Sequence, residues 1–151
     1  MKATRKPEKG GLPNAIFVQA AAEDLPCEFT GIASEIFINF PWGSLLRGVA
    51  VGDSEVLASL RRVAVPDCQL KIVFGIDVTR DRSEIIRLGL PKLSQEYLQD
   101  ELLPRCQTAG FKALTAELLD AAELGNLDTA WARKLRTGTG RVFAYLSFRA
   151  V

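Results

Sequence analysis

The apolar residues of this chain form five short runs that are typical of strands. Glycine, proline and other turn residues bound the runs, and the last run alternates apolar and polar positions. The first run is short and predicts a buried strand. The predicted strands cover residues 15–18, 35–40, 70–75, 111–118 and 141–148.

The segments between these runs show helical spacing. Apolar residues three and four apart predict a helix that has Asp53 or Ser54 as its N-cap and ends before Pro66. A longer helical pattern further along is kinked at Pro104 and closed by Gly110 in a left-handed conformation. The predicted helices cover residues 53–65, 83–88, 94–109 and 129–136.

Strands that alternate with helices predict an α/β fold with a mainly parallel sheet. In such sheets ligands bind beyond the carboxyl ends of the strands. The segments that follow the first two predicted strands, residues 20–23 and 39–43, are therefore expected at one edge of the sheet. These two segments are the first candidates for a binding site.

Composition is typical of a soluble globular protein with its own core. The 151 residues are 48% hydrophobic and 25% charged, and a chain of this length buries roughly 68–70% of the surface that its unfolded form exposes. One domain is expected. No apolar run is long enough for a membrane span or a signal peptide, so the prediction is a cytoplasmic protein without membrane contact.

The cysteine and histidine counts narrow the possible chemistry. Three widely separated cysteines and the lack of histidine argue against a zinc site. Without histidine, Ser-His and Cys-His nucleophile pairs are excluded, together with the hydrolases that use them. No metal is predicted.

The net charge of +1 conceals two basic ends. Residues 1–9 carry four basic side chains against one acidic side chain, and residues 129–151 carry five basic side chains and no acidic one. Trp131 lies in the second stretch, which is a composition expected of a surface that binds RNA phosphates and a base. The alternative is a half-buried Trp131 that anchors a helix with a basic exposed face.

The most informative segment is Asn39-Phe40-Pro41-Trp42-Gly43. The proline fixes the turn after a predicted strand and leaves Trp42 at the ligand edge, where an indole stacks on a nucleobase with roughly 1–3 kcal/mol per base. The alternative is that Trp42 packs in the core or against a loop. Residues 20–23 offer small side chains and the Glu23 carboxylate as an acceptor for an amino group, or they form an ordinary strand-to-helix turn.

Glycine-rich loops that bind phosphate are missing from the sequence. Gly10-Gly11 and Thr137-Gly138-Thr139-Gly140 do not follow strands of the required kind. The residues of this chain therefore do not assemble a complete nucleotide-type site by themselves.

Several stretches of the sequence resemble one protein family. The P-W-G-S-L-L-R-G-V run of residues 41–49 is the specific one. Together with the supporting stretches it closely resembles the bacterial 16S rRNA (adenine-1408-N1)-methyltransferases, the kanamycin–apramycin resistance family, over essentially the whole chain. The supporting stretches are residues 6–14, 20–26, 89–91 and 129–135.

The resemblance implies a class I methyltransferase fold, which is Rossmann-like, with S-adenosyl-L-methionine as cofactor. The implied substrate is 16S rRNA within the small (30S) ribosomal subunit, and its methylation would confer aminoglycoside resistance. Pro41 would fix the turn while Trp42 and Trp131 sandwich the flipped adenine. The implied cofactor residues are Ala21, Ala22, Glu23, Asn39, Ser44 and Thr129. The implied RNA-docking residues are Lys2, Arg5, Lys6, Arg133, Lys134, Arg136 and Arg141.

The chain departs from the family pattern at its amino-terminal side. The first two strands of that pattern, its acidic glycine-rich loop and the acidic residue that holds the cofactor ribose have no counterpart. In the complete fold those strands separate the predicted strands 15–18 and 35–40, so the first of these is left without its neighbours. Residues 1–151 are expected to be the C-terminal portion of a single methyltransferase domain, truncated at the N-terminus and inactive alone. Thr139 and Gly140 stand where some members carry further basic residues.

The implied reaction is an in-line attack by the adenine N1 lone pair on the sulfonium methyl group. N1 needs no deprotonation, so the lack of histidine is no obstacle, and catalysis rests on clamping the flipped base. Two alternatives stay open. The chain is a catalytically inactive remnant that binds RNA through its basic ends or folds only with a partner chain, or it is a methyltransferase-like domain for another RNA or a small substrate.

Overall fold

A four-stranded sheet forms the centre of the described part of the protein, which in this computed structural model comprises residues 14–120, 123 and 141–151. Four of the five predicted strands and the mixed α/β fold are confirmed. The strands lie in the spatial order β1-β2-β4-β3. They are β1 (Ala33–Asn39), β2 (Ala64–Asp77), β3 (Phe111–Leu119) and β4 (Arg141–Ala150).

The prediction of a mainly parallel sheet is wrong for the described residues. β1 and β2 pair in parallel, whereas β4 pairs antiparallel with both β2 and β3. β2 and β3 run in the same direction, but β4 lies between them and runs opposite to both. The alternation of strands and helices along the chain does not reveal such an insertion.

The predicted strand at residues 15–18 is also wrong. This segment has no regular secondary structure, and Ile16 is 86% exposed. An apolar run becomes a buried strand only where neighbouring strands supply its hydrogen bonds. Among the described residues the segment has no such neighbour, and β1 pairs with β2 alone.

Five α-helices connect the strands in the described ranges, and a 3-10 turn, Cys27–Phe29, precedes β1. The predicted helices at residues 83–88 and 94–109 are confirmed, and Gly110 has the expected left-handed backbone (φ 88°). A π-helical turn, Leu98–Leu102, precedes Pro104, which lacks an N–H group to continue the helical hydrogen bonds. The predicted helix at 129–136 lies outside the described residues. The helices are α1 (Gly43–Val51), α2 (Ser54–Val63), α3 (Arg82–Leu88), α4 (Gln95–Tyr97) and α5 (Leu103–Thr108).

Helix α1 is not predicted by the sequence pattern, because glycine and valine are poor helix formers. Packing explains why it forms: Leu46, Val49 and Ala50 are buried against the sheet. Gly48 is required for close contact with α2, since a Cβ at this position would lie 2.8 Å from a methyl carbon of Val56. In the described ranges no helix has both the length and the apolar character needed to cross a membrane.

The helices pack on one face of the sheet. Leu70, Ile72 and Phe74 of β2 are buried in the main core. This core also contains buried residues of α1, α2, α3 and α5. Val73 points to the opposite face because side chains alternate along a strand. There it joins Phe143 in a second, smaller cluster.

Asp53 is the N-cap of α2, as the sequence predicts. Its carboxylate accepts hydrogen bonds from the N–H groups of Glu55 (3.0 Å) and Val56 (3.4 Å). These bonds satisfy two of the N–H groups that every helix start leaves without an intrahelical partner.

Asp53→Ala is expected to lower the free energy of unfolding by about 1 kcal/mol, because the cap is lost. Asp53→Asn keeps an acceptor oxygen and should lose much less. Chemical denaturation of both variants measures the difference. Equal losses in the two variants would show that charge, rather than capping, is what Asp53 contributes.

Candidate functional site

The chain turns sharply at the carboxyl end of β1. Asn39 is the last residue of the strand, Phe40 has a left-handed backbone (φ 51°), and Gly43 at the start of α1 is left-handed as well (φ 61°). This conformation costs a residue with a Cβ roughly 1–2 kcal/mol, and aromatic residues rarely adopt it. Pro41 and Trp42 lie between these two positions, so they are held on a corner that leads directly into α1.

Trp42 extends from this corner into solvent. Its backbone is extended (φ −133°, ψ 163°), it occupies the N-cap position of α1, and it is 61% exposed. This exposure rules out the interpretation of Trp42 as a core residue. An exposed indole on a fixed turn offers a stacking surface for a planar ligand.

Two of the predicted cofactor residues line one small cavity. Glu23 lies in a turn of the amino-terminal segment and Ser44 in the first turn of α1, and both border a cavity of about 220 Å³ together with Arg47. Asp53 also lines it, and the Asp53 carboxylate lies 3.5 Å from the Arg47 guanidinium. The cavity therefore combines hydrogen-bond donors and acceptors of both charges. Sequence reasoning assigned no role to Arg47, although its spacing from Ser44 places the two on one helix face.

The other predicted cofactor residues of the described part are not gathered in that cavity. Ala21 forms an isolated bridge with Asp24 and lines a separate cavity. Ala22 packs against the main core, and Asn39 is exposed at the end of β1. The two alanines thus shape the turn that carries Glu23.

A charged cluster follows the carboxyl end of β2. The buried Asp77 carboxylate accepts hydrogen bonds from the N–H groups of Arg80 and Thr79, both at 3.0 Å. The Arg80 hydrogen bond first, then that of Thr79 and the guanidinium of Arg141, hold the pKa of Asp77 below its usual range against the opposing effect of burial. The ionised carboxylate thereby fixes the loop that follows the strand.

Arg141, a predicted RNA-docking residue, belongs to the same cluster. Its guanidinium lies 3.0 Å from the Asp81 carboxylate and donates to the carbonyl oxygen of Gly75 (3.4 Å), and its side chain is 18% exposed. Its charge is therefore balanced within the protein. Sequence reasoning missed Asp77 and Asp81, although acidic residues at the carboxyl end of a strand are a recognisable signal. A role of Arg141 in RNA binding stays a prediction.

The remaining predicted site residues lie outside the described residues, and their roles stay predictions. Within the described ranges no group of three or more Cys, Asp or Glu side chains is arranged to hold a metal ion. The residues outside are Lys2, Arg5, Lys6, Thr129, Trp131, Arg133, Lys134 and Arg136.

A larger cavity of about 910 Å³ lies between α2 and α5 and is lined by none of the predicted site residues. Two arginines on its wall are engaged with main-chain oxygens. Arg61 donates to Val151 and Arg105 donates to Val51, each at 2.6 Å. Arg61 of α2 thereby holds the last residue in place, and Arg105 of α5 holds the end of α1.

Comparisons with known proteins agree with the resemblance. The family model NpmA, described as 16S rRNA (adenine(1408)-N(1))-methyltransferase, matches residues 1–149. A curated 16S rRNA (adenine(1408)-N(1))-methyltransferase of Escherichia coli is 35% identical over 147 residues, which are 97% of this chain and 67% of that protein. A protein of the same description from Streptoalloteichus hindustanus is 35% identical over 141 residues, 93% of this chain and 64% of that protein. The chain thus spans about two thirds of the length of these relatives.

Solved structures similar to this chain are methyltransferases as well. A mutant 16S rRNA (adenine(1408)-N(1))-methyltransferase from Catenulisporales acidiphilia, crystallised with the cosubstrate SAM, superposes with a TM-score of 0.80 and is 35% identical. The aminoglycoside resistance methyltransferase NpmB1 superposes with a TM-score of 0.77 and is 42% identical. Each match covers 99% of this chain, and it covers 67% and 68% of the respective solved chains.

Asp77→Asn is expected to reduce the loss of stability at acid pH. In the folded protein the pKa of Asp77 is lowered from its ordinary value of 3.8. The ionised carboxylate therefore contributes its full stabilisation of the fold above pH 3.8. This contribution is lost as the pH falls through the folded-state pKa. Thermal unfolding between about pH 6 and about pH 2 should therefore show a smaller fall of Tm in the variant than in the unmodified chain.

Asp77→Ala is the matched control, because it removes the acceptor oxygens as well as the charge. It should lower Tm at every pH, whereas asparagine still accepts from the N–H groups of Thr79 and Arg80. Parallel Tm curves for Asp77→Asn and the unmodified chain would contradict the assignment of this acid-sensitive contribution to Asp77.

Proposed function

Because this chain belongs to the 16S rRNA (adenine(1408)-N(1))-methyltransferase family, we propose that it is the substrate-binding part of an enzyme that methylates N1 of adenine 1408 in 16S rRNA. The methyl donor is S-adenosyl-L-methionine, and the substrate is the rRNA within the small (30S) ribosomal subunit. Methylation of this base confers aminoglycoside resistance. Residues 1–151 form the C-terminal portion of a single methyltransferase domain in this proposal.

The observation that carries the proposal is the exposed Trp42 on its fixed corner, next to the cavity of Glu23 and Ser44. Trp42 directly precedes α1, and Ser44 is the second residue of that helix. The surface for a planar base and the cavity for a polar ligand therefore share one short element. Methyl transfer needs this arrangement, because two bound molecules must meet at one point.

The cavity of Glu23 and Ser44 fits part of S-adenosylmethionine. Its volume of about 220 Å³ lies below the roughly 300–1,000 Å³ typical of complete small-molecule sites. The Glu23 carboxylate accepts hydrogen bonds from amino groups, and the Ser44 hydroxyl both donates and accepts. When bound, S-adenosylmethionine supplies a methyl group activated by its sulfonium charge.

The chain's own contribution to the reaction is to orient the base. Stacking on Trp42 fixes the plane of the adenine ring, and the N1 lone pair lies in that plane. N1 needs no deprotonation, so a chain without histidine can present it. In the same proposal Trp131 contacts the opposite face of the base, and the basic residues of both chain ends bind phosphates.

Trp42→Ala is expected to lower methylation roughly 5- to 160-fold, because stacking worth about 1–3 kcal/mol per base is lost. Trp42→Phe retains an aromatic ring and should retain more activity. Methylation at N1 blocks base pairing, so reverse transcription of 16S rRNA stops at adenine 1408 when that base is modified. The measurement uses cells that express the chain in a form extended to the length of its relatives.

Asp67→Asn serves as the control variant, since Asp67 is exposed at the opposite end of β2 from the corner. It should leave the stop unchanged. An unmodified adenine in cells that carry the extended form without substitutions would contradict the proposed substrate.

A further inference from the structure

Two aromatic pairs of similar geometry pack against β4. Phe40 and Phe143 meet edge to face with ring centroids 6.3 Å apart, and Phe111 and Phe148 do so at 6.4 Å. Phe143 and Phe148 are both fully buried in the same strand. Only the first pair includes a residue of the corner that carries Trp42.

Phe40 needs an external contact to keep its left-handed backbone. The other non-glycine residue with positive φ in the described ranges is Asp67, a residue type that tolerates this conformation through local hydrogen bonds. The phenylalanine side chain has no polar atoms that could form such hydrogen bonds. The Phe40 N–H group donates to the carbonyl oxygen of Val73 (2.7 Å), and the Phe40 ring meets that of Phe143 in the second cluster.

Gly75 allows Phe143 to lie close to the sheet. The two residues are directly opposite each other in the β2–β4 pairing, and a Cβ on Gly75 would lie 2.4 Å and 2.5 Å from two ring carbons of Phe143. The ring therefore occupies the space where a side chain would be. The second cluster contains Val73 and Phe143, with Phe40, Leu119 and Tyr145 packed against them, and includes no residue of a described helix. Among the described residues, side chains of the strands therefore support the corner on that face.

We propose that Phe143, placed over Gly75 and in contact with Phe40, is a positioning residue that holds the corner and thereby fixes Trp42. The support itself follows from the contacts within the chain. Its importance for catalysis rests on the proposed function, in which Trp42 stacks on the substrate base. A supporting residue of this kind matters because misplacement of a binding group by about 1 Å lowers the rate strongly.

The test measures the mobility of Trp42 without any ligand. The chain contains two tryptophans, so Trp131→Phe leaves Trp42 as the sole indole of the 151-residue protein. The fast, nanosecond component of the Trp42 fluorescence anisotropy decay reports local motion of the indole. In that background Phe143→Leu is expected to raise the amplitude of this component about twofold or more. Phe148→Leu, the matched control in the other aromatic pair, should leave this component unchanged while lowering Tm to a similar extent.

This comparison separates local positioning from general stability. An equal increase in both variants, or no increase in Phe143→Leu, would overturn the proposal. Because the readout needs neither cofactor nor rRNA, a chain that transfers no methyl group can still show the expected difference, and the two proposals fail independently.

A second variant covers the case in which Phe143→Leu does not fold, as judged by circular dichroism. Phe40→Leu removes the same ring contact from the half-buried partner, where the loss of packing is smaller. An increase in Trp42 mobility in this variant supports the proposal, and unchanged mobility overturns it.

Discussion

The pairing of β2 with β4 is the constraint on which the rest of the structure depends. It runs without interruption from Gln69 opposite Arg149 to Asp77 opposite Arg141. One face of this ladder supplies the centre of the main core, and the other face supplies the cluster of Val73 and Phe143. A shift by one residue would exchange the two faces. The core and the support of the corner are therefore set by the same register.

Local signals in the sequence predict most of the secondary structure. Asp53 caps α2 as expected because a cap depends on neighbouring residues only, and Gly110 takes the expected conformation for the same reason. Helix α1 and the position of β4 depend on contacts between distant segments, which a local pattern does not contain. The wrong strand at residues 15–18 has the same origin, since its apolar composition indicates burial but says nothing of pairing partners.

Only part of the candidate site can be predicted from the sequence, because some of its residues give a local signal and others depend on contacts between distant segments. Trp42, Pro41 and Glu23 stand out in the sequence. The resemblance adds Ser44, which the structure brings to one cavity with Glu23. Phe143 gives no such signal, because in the sequence it is an ordinary apolar position of a strand. Its significance comes from the glycine opposite, and that relation exists only once the register is known.

The outer side of β1 affects how copies of the chain behave toward one another. The N–H group of Phe40 points to β2, so by alternation the backbone groups of Phe37 point away from it, and within the described residues no strand pairs with them. Phe37 is 53% exposed, and the Lys71 ammonium lies 5.3 Å from its ring. An unpaired apolar edge is a template for further strands, and a lysine beside it opposes such pairing by its charge and hydration. Within the described residues, Lys71 beside Phe37 therefore disfavours pairing between copies of the chain along β1.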